Sequence, residues 1–438
     1  MPEESTNIHK WRGRAIVHFD ADSFFASVEQ VMNQNLRGKA VVTGGERGAA
    51  TSVSIEGKKL GLYRGMSLRD MKKMCPDVAI VSSDYTSYSI FARRMYAIAR
   101  EFTPHVEEYS IDECFADITG LRSQFHTSYE GIALLIQKRL HDDLGITFGV
   151  GLGPSKTIAK IASKLNKPAG FTPIPTRGIP PILKDLPIGS LWGVGYSTSF
   201  RFEKLGVKTA LDFAQKSDGW LKEHGLAKPY RDIWLELNGA FVRKLATTPD
   251  DSIGSILQSR TFTPTTDRSV LLSQLAKNIE GACTKARRHG VRGSSCRFYL
   301  KTQEFTYAGK NLSMSIPLSD PREFLRLIEA HFDSVYVPGT KYRASGFGLY
   351  AITSEHAIMP DLFGESVRVE SQSKIIDAMD ALNQKYGKHT LHLGVSHVAI
   401  TNEDERQAER RKRSRPRMAM SLEQKRKTIN LPYLGLVH

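Results

Sequence analysis

Tyr109-Ser-Ile-Asp-Glu-Cys-Phe-Ala-Asp-Ile-Thr119 sets two adjacent carboxylates, Asp112 and Glu113, inside an apolar, strand-forming run. Carboxylates placed there cost free energy unless a cation accompanies them. Neighbouring side chains of an extended strand point to opposite faces. The two therefore serve one site only where the chain bends or bulges between Ser110 and Cys114, as at a hairpin tip. Alone, an Asp-Glu pair is also what an exposed turn carries, so a second acidic strand end is needed to decide.

The stretch Arg14-Ala-Ile-Val-His-Phe-Asp-Ala-Asp-Ser-Phe-Phe-Ala-Ser-Val-Glu29 supplies it. Its apolar run ends at Asp20 and a helical pattern starts at once: Asp22 or Ser23 can cap the helix, and Phe24, Val28 and Val31 fall on one face. Two acidic strand ends far apart in sequence are what two-metal phosphoryl transfer requires. Hard carboxylate oxygens would hold two Mg2+ ions about 3.5–4 Å apart, around the attacking and leaving oxygens. The chemistry implied is nucleotidyl transfer.

His18-Phe-Asp-Ala-Asp-Ser-Phe-Phe-Ala-Ser-Val-Glu29 followed by Tyr109-Ser-Ile-Asp-Glu113 resembles the Y-family of translesion DNA polymerases, nearest in pattern to its bacterial polymerase IV and polymerase V groups. The resemblance implies an α/β (α+β) multidomain right hand with palm, fingers, thumb and little finger. It implies Asp20, Asp112 and Glu113 as catalytic residues that hold two Mg2+ ions together with Ala21. Phe25 takes the place of the aromatic that packs beneath the incoming deoxyribose and blocks a 2′-hydroxyl, with Phe24 beside it in the nucleotide site and better suited to a core. Lys167, in Asn166-Lys-Pro168, matches a lysine that contacts the triphosphate. The implied partners are primer-template DNA and deoxynucleoside triphosphates. The implied activity is low-fidelity synthesis without proofreading, bypassing damaged bases as part of DNA repair and the SOS response.

Composition sets the outer bounds. At 438 residues the chain exceeds one ordinary domain, and 40% apolar residues support real cores. Sixty-one Lys+Arg against 46 Asp+Glu give +15, which suits a polyanionic partner such as nucleic acid, though a solvated basic surface has the same balance. Cys75, Cys114, Cys283 and Cys296 show no Cys-x-x-Cys spacing, so reduced, buried thiols are expected rather than a zinc site or disulfides. With no signal peptide or membrane-length apolar run, the cytoplasm is the expected location.

In order along the chain, the domains expected are palm (12–22 and 85–180), fingers (23–84), thumb (181–245), little finger (253–355) and a C-terminal extension (356–438). In the fingers, a strand at 39–42 and a Gly44-Gly45 turn lead to an extended stretch at 49–55 and then a helix with Lys58 and Lys59. Ile55 and Lys58 stand where the family has a Tyr and a basic residue on the triphosphate. Ile55 cannot donate a hydrogen bond, and Lys58 supplies charge without the fork of Arg. A palm helix over 84–101 offers Tyr88 and Arg94 toward phosphate, although such single residues are commonly structural. A helix at 132–140 and a strand at 146–151 precede Gly153-Pro-Ser155, which opens a helix with Pro154 in its first turn. On that helix Lys156, Lys160 and Lys164 recur every four residues, the pattern of a solvated basic face.

The Pro/Gly/Thr-rich run 170–181 marks a boundary, after which Gly193-Val-Gly195 between two short helical patterns resembles a helix-hairpin-helix. There Gly193 and Gly195 would present backbone N–H groups to a DNA phosphate without reading sequence. Beyond a linker at 245–251 the pattern reads strand 255–262, helix 271–289, strands 295–303 and 305–315, helix 321–332 and strand 342–352. Arg260, Lys285, Arg287, Arg288, Arg292, Arg297 and Lys301 make this βαββαβ domain basic, with Arg260 and Arg297 as its DNA contacts. A helix at 374–387, stopped by Gly387, leads into a strand at 390–400, and residues 406–427 carry ten Lys/Arg against two Glu. Met359-Pro-Asp-Leu-Phe363 resembles a sliding-clamp peptide, with Leu362 and Phe363 as the apolar anchors and Met359 where a Gln is usual. Two rivals remain: a noncatalytic DNA-binding protein, against which the three intact carboxylates argue, and a nucleotide cyclase on a related palm, which has no need of thumb or little finger.

Overall fold

The computed structural model describes residues 11, 13–45, 48–247, 253–355 and 365–401. The chain forms two compact units, residues 1–250 and 251–438.

The first unit is built on a five-stranded sheet of order β5-β6-β1-β7-β8, from β1 (Ile16–Ala21), β5 (Val106–Ser110), β6 (Glu113–Asp117), β7 (Phe148–Gly153) and β8 (Phe171–Pro173). Every residue of β1 is buried, as a central strand covered on both faces requires. Val17, Phe19 and Ala21 enter the core formed with α1 (Phe24–Met32), α4 (Tyr85–Phe102) and α6 (Tyr129–Leu144). Ile16, His18 and Asp20 alternate to the other face, where α7 (Lys156–Leu165) lies. A Cβ on Gly151 would fall 2.1 Å from the Ala159 oxygen, and one on Gly149 would fall 2.5 Å from the Ser163 oxygen, so the glycines of β7 are what let α7 lie directly on the sheet. Ser155 caps α7 by accepting the Ile158 N–H, so the helix starts at Lys156 and Pro154 stands ahead of the cap rather than in the first turn.

A small sheet of order β3-β2-β4 follows, from β2 (Val41–Thr43), β3 (Ser52–Val53) and β4 (Ala79–Val81), with α2 (Ile55–Lys59) and α3 (Leu68–Met74). The extended stretch expected over 49–55 shrinks to two strand residues because Ser54 accepts the Gly57 N–H (3.2 Å) and starts α2 at Ile55. After the short α5 (Arg122–Phe125) and the first sheet, five helices follow among the described residues: α8 (Ile179–Asp185), α9 (Tyr196–Lys204), α10 (Ala210–Ala214), α11 (Asp218–Glu223) and α12 (Lys228–Leu237). They share a core that includes Phe202, Phe213 and Leu237 and reaches Ile158 and Ile161 of α7.

The second unit has a four-stranded antiparallel sheet of order β11-β10-β12-β9, from β9 (Ile256–Thr265), β10 (Val291–Thr302), β11 (Tyr307–Leu318) and β12 (Tyr342–Ser354). The helices α13 (Arg268–Arg288) and α14 (Pro321–Glu329) complete its core, in the βαββαβ order expected. A further helix, α15 (Glu365–Tyr386), ends at Gly387, whose φ of +115 is a glycine conformation. The strand expected at 390–400 does not form. Its alternating apolar residues are used differently: α13 collects this segment through side chains, Ser273 Oγ accepting the Ala399 N–H (3.0 Å) and Glu280 accepting from Leu393 N–H and Ser396 Oγ (3.1 and 2.6 Å). Residues 394–396 therefore turn as a 3-10 helix. Among the described residues all four cysteines are free and no helix is long and apolar enough to cross a membrane.

Candidate active site

Asp20 on β1 pairs in register with Glu113, the first residue of β6, and the Ala21 N–H donates to the Asp112 carbonyl (2.9 Å). The expected bend is the two-residue turn at Ile111 and Asp112 that forms the hairpin tip, while the β5–β6 register slips earlier, between Glu108 and Ser110. Asp20, Ala21, Asp112 and Glu113 are thus gathered at one end of the palm sheet. Asp112 Oδ1 accepts from Ser110 Oγ (2.6 Å) on its own hairpin.

Two further side chains complete this cluster: His18, which the sequence reading did not single out, and Lys160, which it read as part of a solvated stripe. His18, wholly buried and two residues before Asp20 on the same strand face, has Nε2 3.1 Å from Glu113 Oε2 and Nδ1 2.7 Å from Ser163 Oγ. Burial, against the pull of Glu113, pushes its imidazole down to about 4, and Nε2 faces the Glu113 carboxylate while Nδ1 faces the Ser163 hydroxyl. Lys160 pairs with the same oxygen, Glu113 Oε2. Burial would raise the Glu113 carboxyl, but the bonds from His18 and Lys160 bring it down to about 2 and keep it ionised.

Lys167 Nζ lies 2.6 Å from Asp20 Oδ1 and 3.3 Å from Asp22 Oδ1. Burial lifts Asp20 above the usual carboxylate range, Lys167 opposing and Glu113 and Asp112 adding. Asp22 does not cap α1: its Oδ2 accepts from Thr147 Oγ1 and the Ala169 N–H (2.9 and 2.8 Å), tying the segment after Lys167 to the end of β1.

The lysine stripe of α7 is not a solvated face. Lys156 is buried and holds both oxygens of Glu107 at 2.6 Å, Lys160 is buried on Glu113, and of the three only Lys164 is exposed. Charges this deep persist only when paired, and the partners come from β5 and β6 across the sheet.

Of the aromatic pair, Phe24 is 3% exposed and belongs to the core, while Phe25 is half-buried and stacks on Tyr88 (centroids 4.3 Å, planes 12°). Tyr88 itself is fully buried with its hydroxyl on Glu29 Oε1 (2.8 Å), so it supports Phe25 and does not reach toward phosphate. Arg94 is exposed on the same helix. Lys58, exposed on α2, is held below the usual lysine range by partial burial and by the Lys167 cation, with Asp22 and Asp20 opposing. Ile55 is half-buried at the start of that helix.

Gly193 takes φ +87 and Gly195 is the N-cap of α9, with no side chain capping the helix. The element before this turn is a 3-10 turn, Ile188–Ser190, rather than a full helix. In the second unit, Arg297 pairs with Gly348 between the core residues Cys296 and Phe298, so it shares the open face of the sheet with Tyr299 and Lys301. Arg260 pairs with Ser345, whose hydroxyl bonds Asn278 of α13, so it alternates to the helix side. The two arginines do not share a face. Arg287 is engaged by Asp380 (2.7 and 3.0 Å) and Arg292 by Glu355. Met359, Leu362 and Phe363 lie outside the described residues.

A divalent ion suits this donor set: among the described residues Asp20, Asp112 and Glu113 each engage one carboxylate oxygen in hydrogen bonds to Lys167, to Ser110, and to Lys160 and His18 respectively, and their chemistry is that of hard oxygen ligands. Among the described residues no three His, Cys, Asp or Glu side chains converge as a ready-made ion cage; lysines hold two of the carboxylates.

Residues 19–164 match the impB/mucB/samB family and residues 254–362 match the C-terminal domain of the same family. The chain is 31% identical over 398 residues to a DNA polymerase IV of Moorella thermoacetica, covering 87% of this chain and 96% of that protein. It is 30% identical over 387 residues to a DNA polymerase IV of Desulfatibacillum aliphaticivorans, covering 86% and 95%. Among solved structures, a Y-family DNA polymerase chimera of Dbh and Dpo4 has the same fold over 78% of this chain and 99% of that one, with a TM-score of 0.65 at 20% identity.

Proposed function

The chain belongs to the impB/mucB/samB family of Y-family DNA polymerases, and from that premise we propose how its residues carry out the reaction. It is a DNA-directed DNA polymerase that performs translesion synthesis with the aid of a divalent metal, on DNA and nucleotide substrates. The observation that supports the site assignment is the backbone adjacency of Asp20, Asp112 and Glu113, through the Asp20–Glu113 pairing and the Ala21 N–H bond to the Asp112 carbonyl.

In this reading the metal is Mg2+, two ions held by Asp20, Asp112, Glu113 and the Ala21 main chain. Held there, the ions would supply activation of the primer 3′-hydroxyl and charge neutralisation for the triphosphate. His18 and Ser163 aim Glu113, and Lys160 keeps it ionised. Lys167 and Lys58 supply positive charge for the triphosphate, with Ile55 leaving one donor fewer than the family pattern. Gly193 and Gly195 receive a DNA phosphate at the uncapped start of α9, and the open face carrying Arg297 meets the duplex backbone. Arg260, on the opposite side of the sheet, contributes through charge alone. Residues 12–22 and 85–180 serve as palm, 23–84 as fingers, 181–245 as thumb, 253–355 as little finger and 356–438 as extension. The free thiols suit a cytoplasmic location. Primer extension on undamaged and lesion-bearing templates, with and without Mg2+, tests the whole reading; no extension on either template overturns it.

Phe25 is the sugar gate. Its ring is fixed on Tyr88, which is pinned by Glu29, so it cannot swing away from a 2′-hydroxyl. Phe25→Ala is expected to accept ribonucleotides at least ~10-fold more readily relative to deoxynucleotides, the scale of one steric contact in a packed pocket. An active variant whose sugar preference equals wild type removes Phe25 from this role.

The segment Met359-Pro-Asp-Leu-Phe363 docks on the sliding clamp through Leu362 and Phe363. Without the Gln hydrogen bond its affinity is expected to be about micromolar or weaker. Titration of the clamp with a peptide of residues 358–365, and with its Leu362→Ala/Phe363→Ala version, checks this. Equal binding by both peptides, or none by either, ends the proposal.

A further inference from the structure

We propose that Trp192, on the thumb, is a positioning residue for the catalytic carboxylates, linking the turn that receives DNA to Glu113. This rests on the polymerase reading above and goes beyond it. Trp192 is the residue before Gly193, yet its indole does not serve the thumb core. Nε1 donates to the Tyr109 hydroxyl (2.7 Å), on the hairpin that carries Asp112 and Glu113. The ring meets Tyr109 edge-on (centroids 5.1 Å, planes 87°) and stacks on Phe115 of β6 (5.8 Å, 28°). Three cations surround it: Arg243 Cζ at 4.1 Å from the ring centre, Lys160 Nζ at 5.3 Å and Lys156 Nζ at 5.7 Å.

Lys160 is the link to chemistry. Its ammonium is bounded by the Tyr109 ring (4.3 Å), the Trp192 ring and the Glu113 carboxylate. A buried lysine has several staggered chains available to it, and the two rings are what hold this one on Glu113. Trp192 therefore acts on Glu113 by two routes, through Tyr109 along the hairpin and through Lys160 across the site. The thumb also grips the N-terminal end of the same helix: buried Glu236 of α12 accepts from the Thr157 N–H (3.0 Å) and from Arg243 (3.1 Å). A phosphate seated on the Gly193–Gly195 turn would fix the indole and, with it, the aim of Glu113.

The test is steady-state insertion of a single correct nucleotide. Small displacements of a reacting group cost large factors in rate, so Trp192→Ala is expected to lower kcat about 30-fold, while DNA Kd and nucleotide KM stay within about 3-fold. A variant with wild-type kcat at saturating DNA and nucleotide, its defect confined to DNA Kd, shows a role in the thumb alone and overturns the proposal. If Trp192→Ala does not fold, Trp192→Phe and Tyr109→Phe carry the test. Each keeps a ring and removes the indole–phenol hydrogen bond, so each is expected to lower kcat about 3-fold, and the double variant by the same factor rather than the product. Additive losses, or none, overturn it. Wild-type extension in the same assay separates the two readings: a wild type that does not extend sinks the polymerase assignment, whereas an extending wild type matched by Trp192→Ala sinks only the role of Trp192.

Discussion

Asp112→Ala is expected to abolish nucleotide addition, by about 10³-fold or more in rate, while leaving folding and primer-template binding intact. The magnitude follows from what a metal carboxylate does: its negative charge holds the ion that stabilises charge developing in the transition state, worth several kcal/mol, and nothing else at the hairpin tip replaces it. The clean separation from stability follows from the local structure. Asp112 makes one side-chain bond, to Ser110 on the same hairpin, so its loss strands no buried partner. Glu113→Ala and Asp20→Ala should be equally inactive but less clean. Removing Glu113 leaves buried Lys160 and His18 without their shared acceptor, and breaking a buried pair in this way typically destabilises by about 3–5 kcal/mol. Glu113→Gln keeps the shape and is the better comparison. Primer extension, fluorescence anisotropy with labelled duplex and thermal melting on the same samples decide the matter. Near-normal extension by Asp112→Ala would remove the metal assignment at its centre.

Much of this site was legible because its logic is local. Adjacent carboxylates in an apolar run demanded a bend or bulge between Ser110 and Cys114, and the chain turns at Ile111 and Asp112. Asp20 had to end a strand because the helical pattern starts four residues later. His18 could have been found on the same grounds, since residues i and i+2 of a strand share a face. The lysines of α7 could not. Their spacing is that of a solvated stripe, and the carboxylates that bury them, Glu107 and Glu113, lie 49 and 47 residues away on strands whose pairing no local pattern reveals.

The second unit shows the same division. Element order followed from periodicity, but the face of each arginine depended on strand parity, which puts Arg297 with Tyr299 and sends Arg260 toward α13. The segment 390–400 failed for a related reason. Its alternation is real, but the groups that satisfy its backbone are side chains of α13, more than 100 residues earlier.

Lys167→Ala is expected to raise nucleotide KM about 10-fold or more and to lower kcat/KM by about 10²-fold, a loss near 3 kcal/mol. A lysine facing a polyphosphate at a water-poor strand end is a charge-assisted contact, stronger than a neutral hydrogen bond, and here it has little redundancy. Ile55 brings no donor, and Lys58 is held below the usual lysine range by partial burial and by Lys167 itself, so the two cations compete for the same carboxylates and phosphates. In the structure Lys167 is partly exposed and rests on Asp20 and Asp22. It can leave them when an ion takes over the neutralisation of Asp20, because Asp22 keeps its bonds from Thr147 and the Ala169 N–H. The variant loses the cation beside buried Asp20 and is expected to melt somewhat lower, while its functional defect should lie in nucleotide use rather than in DNA binding. Lys58→Ala is expected to be milder, since Lys58 is exposed on the short α2, whereas Lys167 already rests on Asp20 and Asp22. Wild-type KM and kcat in both variants would place the triphosphate elsewhere. A Lys58→Ala defect larger than that of Lys167→Ala would instead move the main phosphate contact from the palm to the fingers.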